Sequence, residues 1–92
     1  MAGRGQSPSF MIMPSIDRES RVPPSQQIAN DLRDRIASGE IPPGRRIPSL
    51  TELEQEWDVA RDTLRKAVGI LRAEGLVETV QGLGVFVRDA DE

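Results

Sequence analysis

The chain has 92 residues, with 15 acidic and 12 basic side chains and a formal net charge of −3, enough for one small domain with a modest core. It holds no cysteine and no histidine. That excludes a disulfide framework and a thiolate metal site, and removes the usual general base, metal ligand and nucleophilic triad. No phosphate-cradling glycine loop is present, so no cofactor or metal is expected, an enzyme is disfavoured and a binding module is favoured.

Residues 1–23 mix Gly, Pro and Ser without a lasting period and read as a flexible tail. The apolar run Phe10-Met11-Ile12-Met13 is broken by Pro14. It is too short for a signal peptide's apolar region or for a membrane span. A cytoplasmic protein with no membrane partner is expected. Met13 is an alternative start.

The domain is expected over residues 24–88, with an acidic end at 89–92. Its first helix is predicted from Ser25 to Ser38. Ile28, Leu32 and Ile36 recur at i, i+4, i+8, with Ala29 beside them, and Asp31 with Arg35 adds an i, i+4 pair. Gly39 follows as a stop. Residues 39–48, GEIPPGRRIP, form a loop with a Pro-Pro-Gly turn, and Arg46-Ile47 is read as a short strand.

Ser49 with Glu52 three residues on makes a capping box for a second helix, Leu50 to Trp57. Leu50, Leu53 and Trp57 line its inner face. A tight corner at Asp58-Val59 leads to a third helix, Ala60 to Glu74, with Leu64, Ala67, Val68 and Leu71 on one face and Gly75 as its stop. A short helix, a tight corner and a longer helix form a helix-turn-helix, whose second helix enters the DNA major groove.

With Leu64 set to zero, Arg61, Arg65 and Arg72 fall at about 60 to 100°, one basic edge beside the buried stripe. Asp62 and Lys66 fall at about 160 to 200°, facing outward as an i, i+4 pair. Arginine reads guanine O6 and N7 with two hydrogen bonds and also grips phosphate. Arg45, Arg46 and Ser49 lie at the N-terminus of the Leu50 helix, where the dipole and unpaired N–H groups favour phosphate. The plain alternative is that these charges only solvate a helix face. The tail has its own second reading, as a dimer contact or as a basic arm carrying Arg4, Arg18 and Arg21 to DNA.

After Gly75, Leu76, Val77, Val80 and Val85 to Val87 read as strands around the turn Gln81-Gly82-Leu83-Gly84, a two-stranded wing. Its tip can reach the minor groove or phosphates, or the hairpin can serve only to cover the core. The fold class expected is mainly α with a small β-hairpin: a winged helix-turn-helix of three helices and a two- or three-stranded wing. The net acidity opposes nucleic acid, but its distribution matters more. Residues 49–58 carry Glu52, Glu54, Glu56 and Asp58 and no base, whereas the third helix carries Arg61, Arg65, Lys66 and Arg72.

From Pro24 to Val87 the chain resembles the winged-helix DNA-binding domain of the GntR family of bacterial transcription regulators. The resemblance rests on QIA with LR and I in the first helix, and on the spaced loop Gly39, Pro43, Gly44, Pro48, Ser49. It continues through Glu52-Leu53, then Val59, Arg61, Thr63, Leu64, Arg65 and Ala67, then EGLV at Glu74 to Val77 and G-x-GVFV at Gly82 to Val87. It implies sequence-specific binding of double-stranded DNA, usually as a dimer on a palindromic operator and usually for repression. It further implies that Arg61 and Arg65 read bases, that Thr63 and Thr51 contact the backbone, and that Gln81-Gly82 reaches the minor groove. The family favours Ser or Thr where Ala60 stands, so the reading helix lacks its usual N-cap. Asp62 repels phosphate but can accept from a cytosine amino group.

Family members usually continue into an effector-binding, dimerising domain. Here the sequence ends soon after the wing, which fits either a piece of a longer regulator or a stand-alone regulator with no effector domain, the second being the preferred expectation. The competing reading from another class is a winged-helix protein-protein interaction module whose basic helix meets an acidic partner. Selective binding to duplex DNA discriminates the two.

Overall fold

The computed structural model describes residues 16–89. The Phe10–Met13 cluster, Arg4, Met13 and residues 90–92 lie outside them. Three helices and one hairpin follow in the order α1 (Pro24–Ser38), α2 (Leu50–Trp57), α3 (Arg61–Ala73), β1 (Val77–Val80) and β2 (Gly84–Val87). This is the expected winged helix-turn-helix.

Boundaries move by one residue where backbone chemistry decides. α1 begins at Pro24 rather than Ser25, because proline at the first helical position forfeits an N–H that has no partner there. α3 covers Arg61–Ala73 rather than Ala60 to Glu74, with Ala60 as an extended N-cap. Leu76 belongs to the helix stop, not to the strand. Its N–H donates to Leu71 O at 3.1 Å while the Gly75 N–H donates to Arg72 O at 3.0 Å. Gly75 supplies the φ of +79° that this closure needs.

The core is apolar throughout. Ile28, Ala29 and Leu32 of α1 meet Leu53 and Trp57 of α2 and Leu64, Ala67, Val68 and Leu71 of α3; Val77 and Val87 of the wing close it, with Ile41 and Ile47 from the loop. Val59 packs against this cluster at the corner, as expected. Burying a side chain of this size contributes about 1.5–3 kcal/mol, and the stripe on α3 is the centre of the packing.

Ion pairs tie α1 to its neighbours. Arg35 binds Asp31 at 2.9 Å and Glu56 of α2 at 2.7 Å. Burial pushes the Asp31 carboxyl above its ordinary value. Arg33 grips Glu74, at the end of α3, through Nε and Nη2 at 2.9 and 2.8 Å.

The wing is antiparallel, with Val77 opposite Val87 and Val80 opposite Gly84. The loop adds a partial third strand, because Arg46 bridges Phe86. Around it Gly44 N–H donates to Val87 O at 2.8 Å and Ile47 N–H to Val85 O at 2.9 Å.

Residues 16–23, read as part of the tail, are tied down in the structure. Gln27 anchors them: its Oε1 accepts from Asp17 N–H at 2.9 Å, and its Nε2 donates to Asp17 O at 2.9 Å and Val22 O at 2.7 Å. Ile16 packs against the core from this segment. Polar glutamine chemistry, invisible to hydrophobic periodicity, does the anchoring. No helix among the described residues is long and apolar enough to cross a membrane.

Candidate nucleic-acid interface

The reading face is set by how α2 and α3 are held at the corner. Ser49 Oγ accepts from Glu52 N–H at 3.1 Å, and Glu52 Oε1 accepts from Ser49 N–H at 2.8 Å. That reciprocal bond holds the Glu52 carboxyl below its ordinary range. The α2 stop is Asp58, at φ 56° and ψ 52°, a left-handed corner that aspartate tolerates better than most residues. Ala60 then starts α3 without a side-chain cap. Its carbonyl takes the Thr63 and Leu64 N–H groups at 3.0 and 3.3 Å.

Between α3 and the wing lies a cleft of about 590 Å³ whose lining includes Arg46, Ser49, Arg65, Arg72, Leu83 and Gly84. Arg65 and Arg72 are exposed on α3, and neither has an ion-pair partner among the described residues. Arg46 faces them from the loop, its stem pressed against the wing. A Cβ built on Gly84 would stand 2.8 Å from Arg46 Cδ, so glycine there makes room for the arginine. Gln81 and Gly82 are exposed at the wing turn, with Gly82 at φ +82°.

The expected basic edge divides in two. Arg65 and Arg72 share the cleft, but Arg61 is engaged by α2. Its Nε and Nη2 donate to Glu54 at 3.1 Å each, and Nη2 also donates to Thr51 Oγ1 at 3.1 Å. Helical angle alone placed Arg61 with Arg65; the corner brings Glu54 within reach of only the first. This bond to Arg61 holds the Glu54 carboxyl below its ordinary range. Asp62 and Lys66 stand outward at 3.8 Å, as their spacing predicted. Thr63 is half-buried on the first turn of α3 and Thr51 is exposed on α2.

Two features escaped sequence reasoning. Glu54 and Arg61 are seven residues apart across a corner, a spacing that no helical pairing rule flags. Leu83, 62% exposed at the wing tip, looked like a turn residue, although a lone leucine between two glycines at a tip is itself a signal.

Comparison with known proteins fits this geometry. Residues 24–87 match the family described as bacterial regulatory proteins, gntR family. Over 64 residues the chain is 38% identical to the mannosyl-D-glycerate transport/metabolism system repressor MngR of Escherichia coli (strain K12), covering 70% of this chain and 27% of that protein. It is 34% identical over 73 residues to the HTH-type transcriptional repressor NagR of Bacillus subtilis (strain 168), covering 79% of this chain and 30% of the relative. The chain thus spans under a third of the length of these two relatives. Among solved structures it is similar to the AraR DNA-binding domain in complex with operator ORX1. The TM-score is 0.76 at 35% identity, covering 82% of this chain and 95% of that one. YtrA from Sulfolobus acidocaldarius, a GntR-family transcription factor, is similar at a TM-score of 0.73 and 38% identity, covering 80% of this chain and 78% of that one.

Proposed function

Because the chain belongs to the gntR family of bacterial regulatory proteins, we propose that it binds double-stranded DNA sequence-selectively and acts in the cytoplasm as a transcription regulator, a repressor. α3 enters the major groove, with Arg65 and Arg61 reading bases and Asp62 and Lys66 beside them. Thr63, Thr51, Ser49 and Arg46 face phosphates. Gln81 and Gly82 carry the wing into the minor groove. Two copies bind a palindromic operator, since one domain of this size reads few base pairs.

The single observation that carries the reading is the cleft in which Arg46, Arg65 and Arg72 converge from loop and helix. Cations with no role in the core, set beside a wing with exposed backbone, fit a polyanion. The chain's acidity weakens such binding without preventing it, because the carboxylates of α2 are paired internally. Glu52 holds Ser49, Glu54 holds Arg61 and Glu56 holds Arg35. Repression is supported by the relatives MngR and NagR, and duplex binding by the operator complex of the AraR domain.

The test is selection from random duplex DNA with the 92-residue chain at two salt concentrations. A recovered motif is expected, with affinity falling as salt rises. Arg65→Ala is then expected to cost about 1–3 kcal/mol on that motif and to leave the fold intact. No enrichment at low salt would refute the proposal and turn attention to an acidic protein partner.

A further inference from the structure

Glu54 has no task in the function just proposed, yet it makes the most elaborate contact on the reading side. Its Oε2 accepts from Arg61 Nε and its Oε1 from Nη2, both at 3.1 Å. This is the side-on fork of a guanidinium on a carboxylate. It uses the Nε hydrogen and the Nη2 hydrogen beside it. The outer Nη2 hydrogen goes to Thr51 Oγ1 at 3.1 Å. Nη1 keeps both of its hydrogens among the described residues. The end-on edge, made by Nη1 and the outer Nη2 hydrogen, matches guanine O6 and N7. Glu54 therefore holds the edge that a base does not need, and Thr51 fills half of the edge that it does.

The two contacts differ in strength. The bond to Thr51 is a single one on an exposed hydroxyl, which a base or water replaces at little cost. The fork to Glu54 is charge-assisted on both sides, between side chains that are 41% exposed for Arg61 and 35% for Glu54. An arginine without such a partner samples many rotamers, and fixing them on binding costs conformational entropy. One restrained in advance loses less.

We propose that Glu54 is the positioning residue that presents Arg61 end-on to a guanine, with Thr51 as a stand-in acceptor that the base displaces. The inference rests on the DNA-reading function above. Glu54 also adds a negative charge beside a polyanion. It lowers affinity for every duplex while raising discrimination among them. Simple repulsion produces the first effect without the second.

The test uses the full chain with the duplex recovered by selection and a shuffled duplex of the same length. Glu54→Ala is expected to bind the shuffled duplex more tightly, yet to lose about tenfold in the ratio of selected to shuffled affinity. In an Arg61→Ala background the same change is expected to leave the ratio unmoved. Each variant is measured below its own melting transition, so unfolding cannot imitate the loss. A ratio unchanged or raised by Glu54→Ala overturns the positioning role alone. So does an equal loss with Arg61 absent. A wild-type chain that prefers no duplex overturns the proposed function, and this role with it.

Discussion

α3 begins without a side-chain cap, and one oxygen atom is expected to correct it. Ala60 already has the extended backbone of an N-cap, φ −65° and ψ 147°, so serine can enter with no change of conformation. Its hydroxyl would accept from the N–H of Asp62 or Thr63, the positions that an N-cap oxygen serves. The Thr63 N–H now reaches only Ala60 O, at 3.0 Å, a tightened turn that leaves room for improvement. A serine in place of alanine at such a site is worth about 1 kcal/mol, which raises the melting temperature of a domain this small by about 4–8 °C. The control is Ser49→Ala. It removes an acceptor that the Glu52 N–H uses at 3.1 Å, and is expected to lower the melting temperature by a similar amount. Both are read by circular dichroism of the helical signal on heating. Two shifts of the same sign, or no gain from Ala60→Ser, would refute the capping argument.

Other perturbations test other parts of the fold. Leu64 is fully buried at the centre of the α3 stripe, so Leu64→Ala should cost about 2–5 kcal/mol in urea denaturation; a loss below 1 kcal/mol, on the order of a surface change, would sink the core assignment. Gly84 sits at φ +126° with Arg46 Cδ 2.8 Å from where a Cβ would stand. Gly84→Ala should therefore cost about 1–3 kcal/mol through strain and displace Arg46, weakening DNA binding. An unchanged melt would show that the wing yields freely. Acid gives a third test. Glu52, Glu54 and Glu74 are each held below their ordinary 4.5 by hydrogen bonds, from Ser49, Arg61 and Arg33 in turn. Protons therefore prefer the unfolded chain, so the stability these groups supply is present above pH 4.5 and lost as pH falls through their folded values. Asp31, raised from 3.8 by burial, works in the opposite direction and blunts the effect. The melting temperature should fall on acidification below pH 4.5, and less steeply in Glu52→Gln. A flat or rising profile would contradict the sign.

The sequence by itself determined the elements and their inner faces. Apolar spacing is a local property, and Leu53 with Trp57, or Leu64 with Val68 and Leu71, can only be buried together on a helix. Capping is local too, so Ser49-Glu52, the Asp58 corner and the Gly75 stop were legible before any packing was known. What only the tertiary structure decided is which polar groups meet. Gln27 ties down residues 16–22, Arg35 chooses Glu56, and Arg61 turns to Glu54 rather than joining Arg65 in the cleft. Each of these pairs spans a corner or a change of element. Long polar side chains have several partners within reach of their sequence position. Only the placement of one helix on another, fixed by the apolar core, decides which of them stand at hydrogen-bond distance.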